Sequence, residues 1–325
     1  MKLPRRRFLH LAAGAAALPA VSRIARAQAY PTQPVRIIVP FALGGASDIT
    51  ARLIGRWLSE RLGQQFVTEN RPGTGSNIGT EMVVNAPPDG YTLLLVGAYN
   101  AINATLYEKL NHNFIRDIVP VASLTRGSLV MVVNSSVPAN TVPEFIAYAK
   151  ANPRKLTMAS AGTGTVSHIA GELFKMMAGV DMVHVPYHGG GPALPDLIAG
   201  QVQVYFGPLL SSIAYIRAGR LRALAVTTAA RLEVLPDVPT VGEFVPGYEA
   251  SSWNGIGAPK GTPVEIIDML NKEINAALGD PKMKARLADL GGTPLLGSPA
   301  DFGKLIADET EKWGKVVKFA GVKAE

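Results

Sequence analysis

The sequence predicts an α/β protein of two lobes, and three observations carry the prediction. Short apolar runs of strand length alternate with segments of helical periodicity along most of the chain, the pattern of parallel sheets covered on both faces. Two extended stretches, Leu129 to Asn140 and Ser251 to Gly257, read as crossings between one sheet and a second. Three Gly-rich turns each follow a strand and open a helix. Lobes joined by crossing strands make a hinge, and closure around a ligand is the usual reason for that layout.

In chain order, residues 1–29 stand apart. Arg5-Arg6-Arg7-Phe8-Leu9-His10 is a twin-arginine pattern, followed by an uncharged stretch from Leu11 to Ser22 and two small-residue cleavage candidates, Ala25-Arg26-Ala27 and Ala27-Gln28-Ala29. Twin-arginine signals are export addresses read by a receptor, and this stretch is too short and too rich in Ala and Gly to span a bilayer. The expected location is the periplasm, with the signal removed. The net charge of +7 includes Lys2, Arg5, Arg6, Arg7, Arg23 and Arg26, with no acid before Ala27, so a chain cleaved there keeps +1. The basic balance therefore belongs to the signal, and nucleic-acid binding drops out. Absence of cysteine excludes disulfides, thiolate metal sites and cysteine nucleophiles.

The first strand candidate is Val35 to Val39, followed by a helix from Ile49 to Leu62. Ile49, Leu53, Ile54, Trp57, Leu58 and Leu62 share one face of it, Asp48 is placed to cap its start, and Gly63 to end it. Further strands are expected at Phe66 to Thr68, Thr92 to Val96, Leu129 to Val133, Leu156 to Ala159, Met182 to Val185, Val202 to Phe206 and Leu221 to Val226. Thr141 to Glu144 has capping-box spacing, and Thr240 to Glu243 and Thr262 to Glu265 repeat it. The final stretch is helical, with Ile266, Met269, Leu270 and Ile274 on one face. Residues 134–250 are expected to form one lobe, and residues 30–133 with 251–325 the other.

The turns are where chemistry is expected. They are Pro40 to Asp48, Ser160 to Thr165 leading into a helix from about Val166 to Ala178, and Pro186 to Pro192 leading into a short helix ending near Gly200. A helix N-terminus presents unpaired N–H groups and about half a positive charge, so it attracts an anion without Arg or Lys. In open α/β sheets, ligands sit at the carboxyl ends of the strands, where these turns lie. Three such turns on two lobes favour an anion cleft over glycines that merely permit tight turns. Catalytic patterns are weaker. Ser167 and His168 are adjacent on a helix, so their side chains diverge by about 100°. His184 and His188 are four apart, but Pro186 lies between them and no carboxylate completes a metal set. His168, in the first turn of its helix, is a candidate ligand donor, with a structural role as the alternative. There is no Walker A pattern, and Gly73 to Gly79 has one residue too many for a dinucleotide fingerprint, so no cofactor is expected.

A series of motifs resembles the extracytoplasmic receptors of tripartite tricarboxylate transporters, the Bug family. They are Val39-Pro40-Phe41 running into Gly44-Gly45 and Ser47-Asp48; Glu69 to Gly73 with Asn77-Ile78-Gly79; Pro88 to Leu94; Ser160 to Thr165 with His168 to Phe174; Val185-Pro186-Tyr187; Asp196 to Val202; Ala218 to Val226; and Leu235 to Thr240. The resemblance spans essentially the whole mature chain, and the set in this order is specific where each piece is weak.

The resemblance implies a two-lobed Venus-flytrap binding protein, type II-like, that lacks catalysis and cofactors and is a monomer. It implies delivery of a small organic acid, a di- or tricarboxylate or an aromatic acid, to a two-subunit membrane permease. In that family backbone and hydroxyl groups of the first and second turns hold the ligand carboxylate, often through water. Carried over, this points to Phe41, Gly44, Ala46, Ser47 and Asp48 on one lobe and to Ser160, Gly162, Thr163 and Thr165 on the other. Tyr187 and Gly189 would line the second-lobe wall with Phe206 close behind, and Asn100 is a weaker first-lobe candidate. Asp48 is expected to organise its loop more than to touch an anion, since like charges repel. Three positions depart from the family pattern: Ala42-Leu43 replaces Pro-Pro, His188 stands where lysine is frequent, and Gly207 stands where many members have aspartate. Without that acid, a ligand ammonium would be left unpaired, which disfavours an amino acid. The alternatives are a twin-arginine-exported periplasmic hydrolase using Ser167 or His168, and a receptor that signals to a membrane sensor.

Overall fold

The computed structural model describes residues 30–323, apart from 42, 45, 108, 188 and 189, so the export signal expected at the N-terminus lies outside the described residues. In chain order the elements begin with β1 (Val35–Val39), α1 (Ala46–Leu62), β2 (Phe66–Asn70), α2 (Asn77–Val84), β3 (Thr92–Gly97), α3 (Ala98–Leu106), α4 (Phe114–Asp117) and β4 (Ile118–Asn134). The middle of the chain holds α5 (Val142–Ala151), β5 (Thr157–Ser160), α6 (Val166–Ala178), β6 (Val183–Pro186), α7 (Gly190–Ala199), β7 (Val204–Pro208), α8 (Leu209–Arg217) and β8 (Leu221–Val226). It closes with β9 (Ser251–Pro259), α9 (Val264–Gly279), α10 (Pro281–Asp289), β10 (Gly292–Pro294) and α11 (Pro299–Ala320).

The architecture turns on β4. From Ile118 to Ser128 it pairs antiparallel with β9 in one sheet, and from Leu129 onward it pairs with β7 and β8 in the second. Sheet membership therefore changes between Ser128 and Leu129, inside one continuous strand. The sequence reading had only the second half of β4. Pro120, Gly127 and the polar Thr125-Arg126 pair look like loop residues, and register shifts follow Pro120 and Ser123. A bulge is where a strand tolerates proline, so the break in pattern marks a kinked strand, not its absence.

In the first sheet β1 lies between β2 and β3, parallel to both; in the second β5 lies between β6 and β7, parallel to both. Parallel pairing is thus confined to the outer strands, and the crossing region is antiparallel, a refinement of the parallel lobes expected. Helix α1 starts at Ala46, so Asp48 sits within its first turn instead of ahead of it. Gly63 ends it in the left-handed region at φ +72, its N–H bonded to the Ser59 carbonyl. Thr141 and Thr240 cap as expected, but Thr262 does not. Its hydroxyl turns back to the Pro259 carbonyl, and α9 follows Pro263 without a side-chain cap.

Apolar stripes seat the helices. Ile54 and Leu58 of α1 pack with Val35 and Ile37 of β1, each fully buried side chain contributing about 1.5–3 kcal/mol. Helix α6 lays Ile169 and Phe174 on the Met158 and Phe206 face of the second sheet. Helix α7 lays Ala193, Leu194 and Leu197 on the opposite face, beside Tyr205, Val130 and Val132. The last helix, α11, packs on α3 of one lobe and α6 of the other. Buried Glu309 on α11 accepts from both Trp253 of β9 (3.2 Å) and Trp313 (2.7 Å), fastening that helix to a crossing strand.

Candidate functional site

The first turn leaves the end of β1 and is held by an acid. Asp48, 1% exposed, accepts from Gly44 N–H (3.0 Å), Arg52 Nε (3.0 Å) and Asn70 Nδ2 (2.9 Å). Asn70 at the end of β2 also donates to the Phe41 carbonyl (3.0 Å) and accepts from Arg52 (2.9 Å). Burial raises the Asp48 pKa, but the bonds from Arg52, Gly44 and Asn70 outweigh it and leave the carboxyl below its usual range. Asp48 is therefore an ionised brace inside the loop, with its charge spent on Arg52. Gly44 holds φ +88, a conformation glycine alone adopts readily. Phe41 packs edge-on against Tyr99 of α3 at 4.6 Å. Ala46 and Ser47 form the opening of α1, Ser47 half-buried.

Asn100 is spent elsewhere. Its Oδ1 accepts from Gly97 N–H and its Nδ2 donates to Thr80 Oγ1, both at 3.0 Å, so the amide caps α3 and ties it to α2.

The second turn is held by neutral side chains. Ser167 Oγ accepts from Ala161 N–H (2.8 Å), Ser160 Oγ from Gly162 N–H (3.1 Å), and His168 Nδ1 from Gly164 N–H (3.1 Å). Thr165 donates to the Gly162 carbonyl (2.7 Å), contacts Ser167 Oγ (3.0 Å) and caps α6 by accepting from His168 N–H (3.4 Å). Half-buried Thr163 stands between the two glycines and is itself engaged. The N–H of Gly162, a candidate ligand contact, is thus consumed in building the loop, as are those of Ala161 and Gly164. What the turn presents is a preformed shape with half-buried Thr163 and Thr165, while Ser160, a candidate ligand contact, lies fully buried within it.

Beneath it lies a pair of histidines. His168 and His184 stack at 3.6 Å with 8° between ring planes, and His184 Nε2 meets Ser160 Oγ at 2.7 Å. Burial, then the neighbouring His168, pushes the His184 pKa down to about 4. His168 Nε2 faces Glu172 at 3.7 Å, and Glu172 pairs with Lys175 at 3.0 Å. Burial raises the Glu172 pKa, but His168 and Lys175 outweigh it, so the acid stays ionised. Ser167 and His168 diverge as their adjacency on the helix predicts, each tied to a different N–H of the turn. Among the described residues no His, Cys, Asp and Glu cluster could hold a metal ion.

The third turn joins the second directly. Tyr187 N–H donates to the Ser160 carbonyl (3.1 Å), and a Cβ on Gly162, at φ +132, would lie 3.2 Å from the Tyr187 carbonyl oxygen. The Tyr187 hydroxyl donates to Asp196 of α7 at 2.8 Å; burial first, then that acid, pushes its pKa up to about 12. Gly189 and His188 lie outside the described residues. Phe206 is fully buried in the core under α6, against Phe174 at 5.4 Å, so it backs the site from inside and does not face a cleft.

The second-lobe turns meet the first lobe at α3, because a Cβ on Gly164 would overlap Leu106 Cδ2. Sequence reasoning missed the partners that hold the turns, Asn70, Arg52 and His184, and also Tyr205 beside Phe206. The Asp48–Arg52 spacing of four was a readable signal; the others are joined only by the sheets.

Comparison with known proteins agrees with this fold. The model of the tripartite tricarboxylate transporter family receptor (TctC) matches residues 50–322. Protein BugT of Bordetella pertussis is 37% identical over 300 residues, covering 91% of this chain and 92% of that protein. An R. palustris structure solved with adipate has 39% identity and a TM-score of 0.79, covering 90% of this chain and 99% of the other. MatC from Rhodopseudomonas palustris, solved with bound malate, has 33% identity and a TM-score of 0.76, covering 89% of this chain and all of the other. The two-lobed fold, the order of its Gly-rich turns and these matches together make the chain a member of the tripartite tricarboxylate transporter receptor family, to which the Bug proteins belong.

Proposed function

We propose that the chain is a periplasmic solute receptor that captures a small dicarboxylate between its lobes and delivers it to a two-subunit membrane permease. The observation that carries this reading is the pair of prebuilt turns at Gly44–Asp48 and Ser160–Thr165. They stand at the carboxyl ends of parallel strands on opposite sheets, each braced by side chains that accept from its backbone N–H groups. Such turns need no reorganisation to receive an anion, and closure expels water and strengthens each charge-assisted bond. Relatives solved with adipate and malate support a dicarboxylate as the ligand. The change of sheet at Ser128/Leu129 supports a hinge there, earlier than the expected boundary at 133/134, with residues 30–128 and 251–325 moving against 129–250. The twin-arginine pattern at Arg5 to His10 supports export.

The test is a thermal-shift and calorimetric screen of the chain from Gln28 onward against C4–C6 dicarboxylates, tricarboxylates, aromatic acids, acidic amino acids and the matching amides. Ligand at about 100 times its Kd stabilises the native state by about 2.7 kcal/mol. Stabilisation by one acid and not by its amide is the expected result. Replacing Gly162 with valine, strained at φ +132 and crowding Tyr187, should abolish that response while leaving the fold intact. Unchanged tight binding by Gly162→Val would remove the second turn from the site.

One observation favours a second reading. Ser160 Oγ and His184 Nε2 lie at nucleophile–base distance, as in a hydrolase. Against it, Ser160 is fully buried and a pKa of about 4 makes His184 a poor base at neutral pH. Ligand that is consumed over hours of incubation, instead of being recovered intact, would favour the hydrolase.

A further inference from the structure

Side chains from both crossing strands and from the last helix converge on Glu249. Its carboxylate accepts from Arg126 Nη1 of β4 (3.1 Å), from Lys312 Nζ of α11 (3.2 Å) and from Ser251 Oγ at the start of β9 (2.7 Å). Lys312 also pairs with buried Glu309 and lies over the Trp313 ring at 4.3 Å. Burial raises the Glu249 pKa, but Lys312, Ser251 and Arg126 outweigh it and keep the acid ionised. The Glu249 and Lys312 side chains are only 25% and 26% exposed, so solvent screens this pair less than one on an open surface.

The partners stand on opposite sides of the hinge. β4 changes sheets between Ser128 and Leu129, and Ser251, the antiparallel partner of Ser128, opens β9. Arg126, Ser251 and Lys312 therefore belong to the first lobe, and Glu249 to the second. Glu249 is anchored there through its neighbour Ala250: buried Thr227 at the end of β8 shares its hydroxyl between the Ala250 carbonyl (2.5 Å) and the Leu129 carbonyl (3.1 Å). Thr227 thus ties the two crossings together on the second-lobe side, and the first lobe grips the carboxylate one residue further on.

We propose that Glu249, gripped by Arg126 and Lys312, is an interlobe clamp that holds the lobes in the arrangement of this structure and so sets how readily the receptor closes on its ligand. The inference rests on the two-lobed receptor reading above and adds what governs closure. In this arrangement the lobes touch at the second turn, where Gly164 lies against Leu106 of α3. The neighbouring Thr105 packs on α11 two residues past Lys312, where a Cβ on Gly314 would lie 3.0 Å from the Thr105 hydroxyl. The helix that carries the clamp is therefore the one that seats α3 against the second turn. A ligand that binds the closed form alone has its apparent Kd raised as the closed fraction falls, so a group far from the ligand can tune affinity.

The experiment measures the Kd for adipate and for malate by calorimetry, and the radius of gyration by X-ray scattering, in wild type, Glu249→Gln, Lys312→Met and Lys312→Arg. Loss of a partly buried ion pair should move the lobes toward the open form and weaken Kd roughly 5- to 20-fold. Glu249→Gln and Lys312→Met should show that loss, with a larger radius when empty and the wild-type radius when saturated. Lys312→Arg keeps the charge and should show neither change. A variant that merely loosened one lobe would lower the melting temperature without moving the empty radius, and that result counts against the clamp. An unchanged or tighter Kd overturns the proposal and leaves the carboxylate reading standing. Failure of wild type to bind either acid or any other acid of the panel overturns the carboxylate reading and the clamp's role with it.

Discussion

The turns that end β1 and β5 are held by opposite electrostatics. The Gly44–Asp48 turn is braced by an ion pair between buried Asp48 and half-exposed Arg52, extended through Asn70 to the Phe41 carbonyl. The Ser160–Thr165 turn is braced by hydroxyls and imidazoles, with Ser160, Ser167 and His168 each accepting one turn N–H. A charged brace must be compensated locally, and Arg52 does so, about half of its side chain in solvent. A neutral brace needs no counter-charge, so the second turn brings no fixed charge of its own to the cleft. The comparison teaches that preorganisation and charge are separable. Either network holds a loop rigid, but their failures should differ in size and in pH.

The charged brace should fail hardest. Asp48→Ala removes the shared acceptor of Gly44, Arg52 and Asn70 and leaves the Arg52 guanidinium without its carboxylate partner. We expect a loss of about 2–3 kcal/mol in urea unfolding and loss of ligand binding. Asp48→Asn, which keeps the shape but not the charge, should recover part of the stability. If Asp48→Ala costs no more than a surface substitution, the ion pair is not what holds the first turn. Ser160→Ala is the matching test of the neutral brace. It strands only Gly162 N–H and the His184 ring nitrogen, so the expected loss is about 1–2 kcal/mol. A larger loss there than at Asp48 would invert the comparison.

How much of this was legible in the chain follows from range. β1 and β8 match their apolar runs because turn residues bracket them, and each turn's glycines stand where the strand ends. The first half of β4 was hidden because Pro120 and Gly127 interrupt the pattern at bulges that only β9 explains. Within the site, local pairs were readable: Asp48 with Arg52 at four residues, Thr165 capping His168 at three. Asn70, His184 and Tyr205 were not, because they meet the turns only through the β1–β2, β5–β6 and β5–β7 pairings. Asn100 looked like a site residue because it opens a helix after a strand; the same place lets its side chain cap that helix. Sequence position alone cannot separate an amide that faces a ligand from one that faces its own backbone.

Acid titration should separate the two braces with the smallest effect of the set. His184 is neutral in the folded protein, its pKa lowered from 6.5 to about 4, while in the unfolded chain it regains the ordinary value. The unfolded state then binds more protons as pH falls below about 6.5, so stability declines from there and the decline is complete near pH 4. Asp48 behaves differently in range. Its folded pKa lies below the usual 3.8, so its contribution is full above that value and is lost only as pH falls through the lower folded one. Between pH 7 and 4.5 the second turn should therefore weaken while the first holds. His184→Gln removes the titration, and its melting temperature should fall less steeply with acid than wild type, by roughly 2–3 °C over that interval given a half-buried ring. His168, Glu172 and Lys175 face the same ring and are unchanged in both proteins, so the difference isolates His184. Parallel curves would mean that protonation of His184 does not destabilise the second turn, and that its neutrality is a consequence of burial with no bearing on how the loop is held.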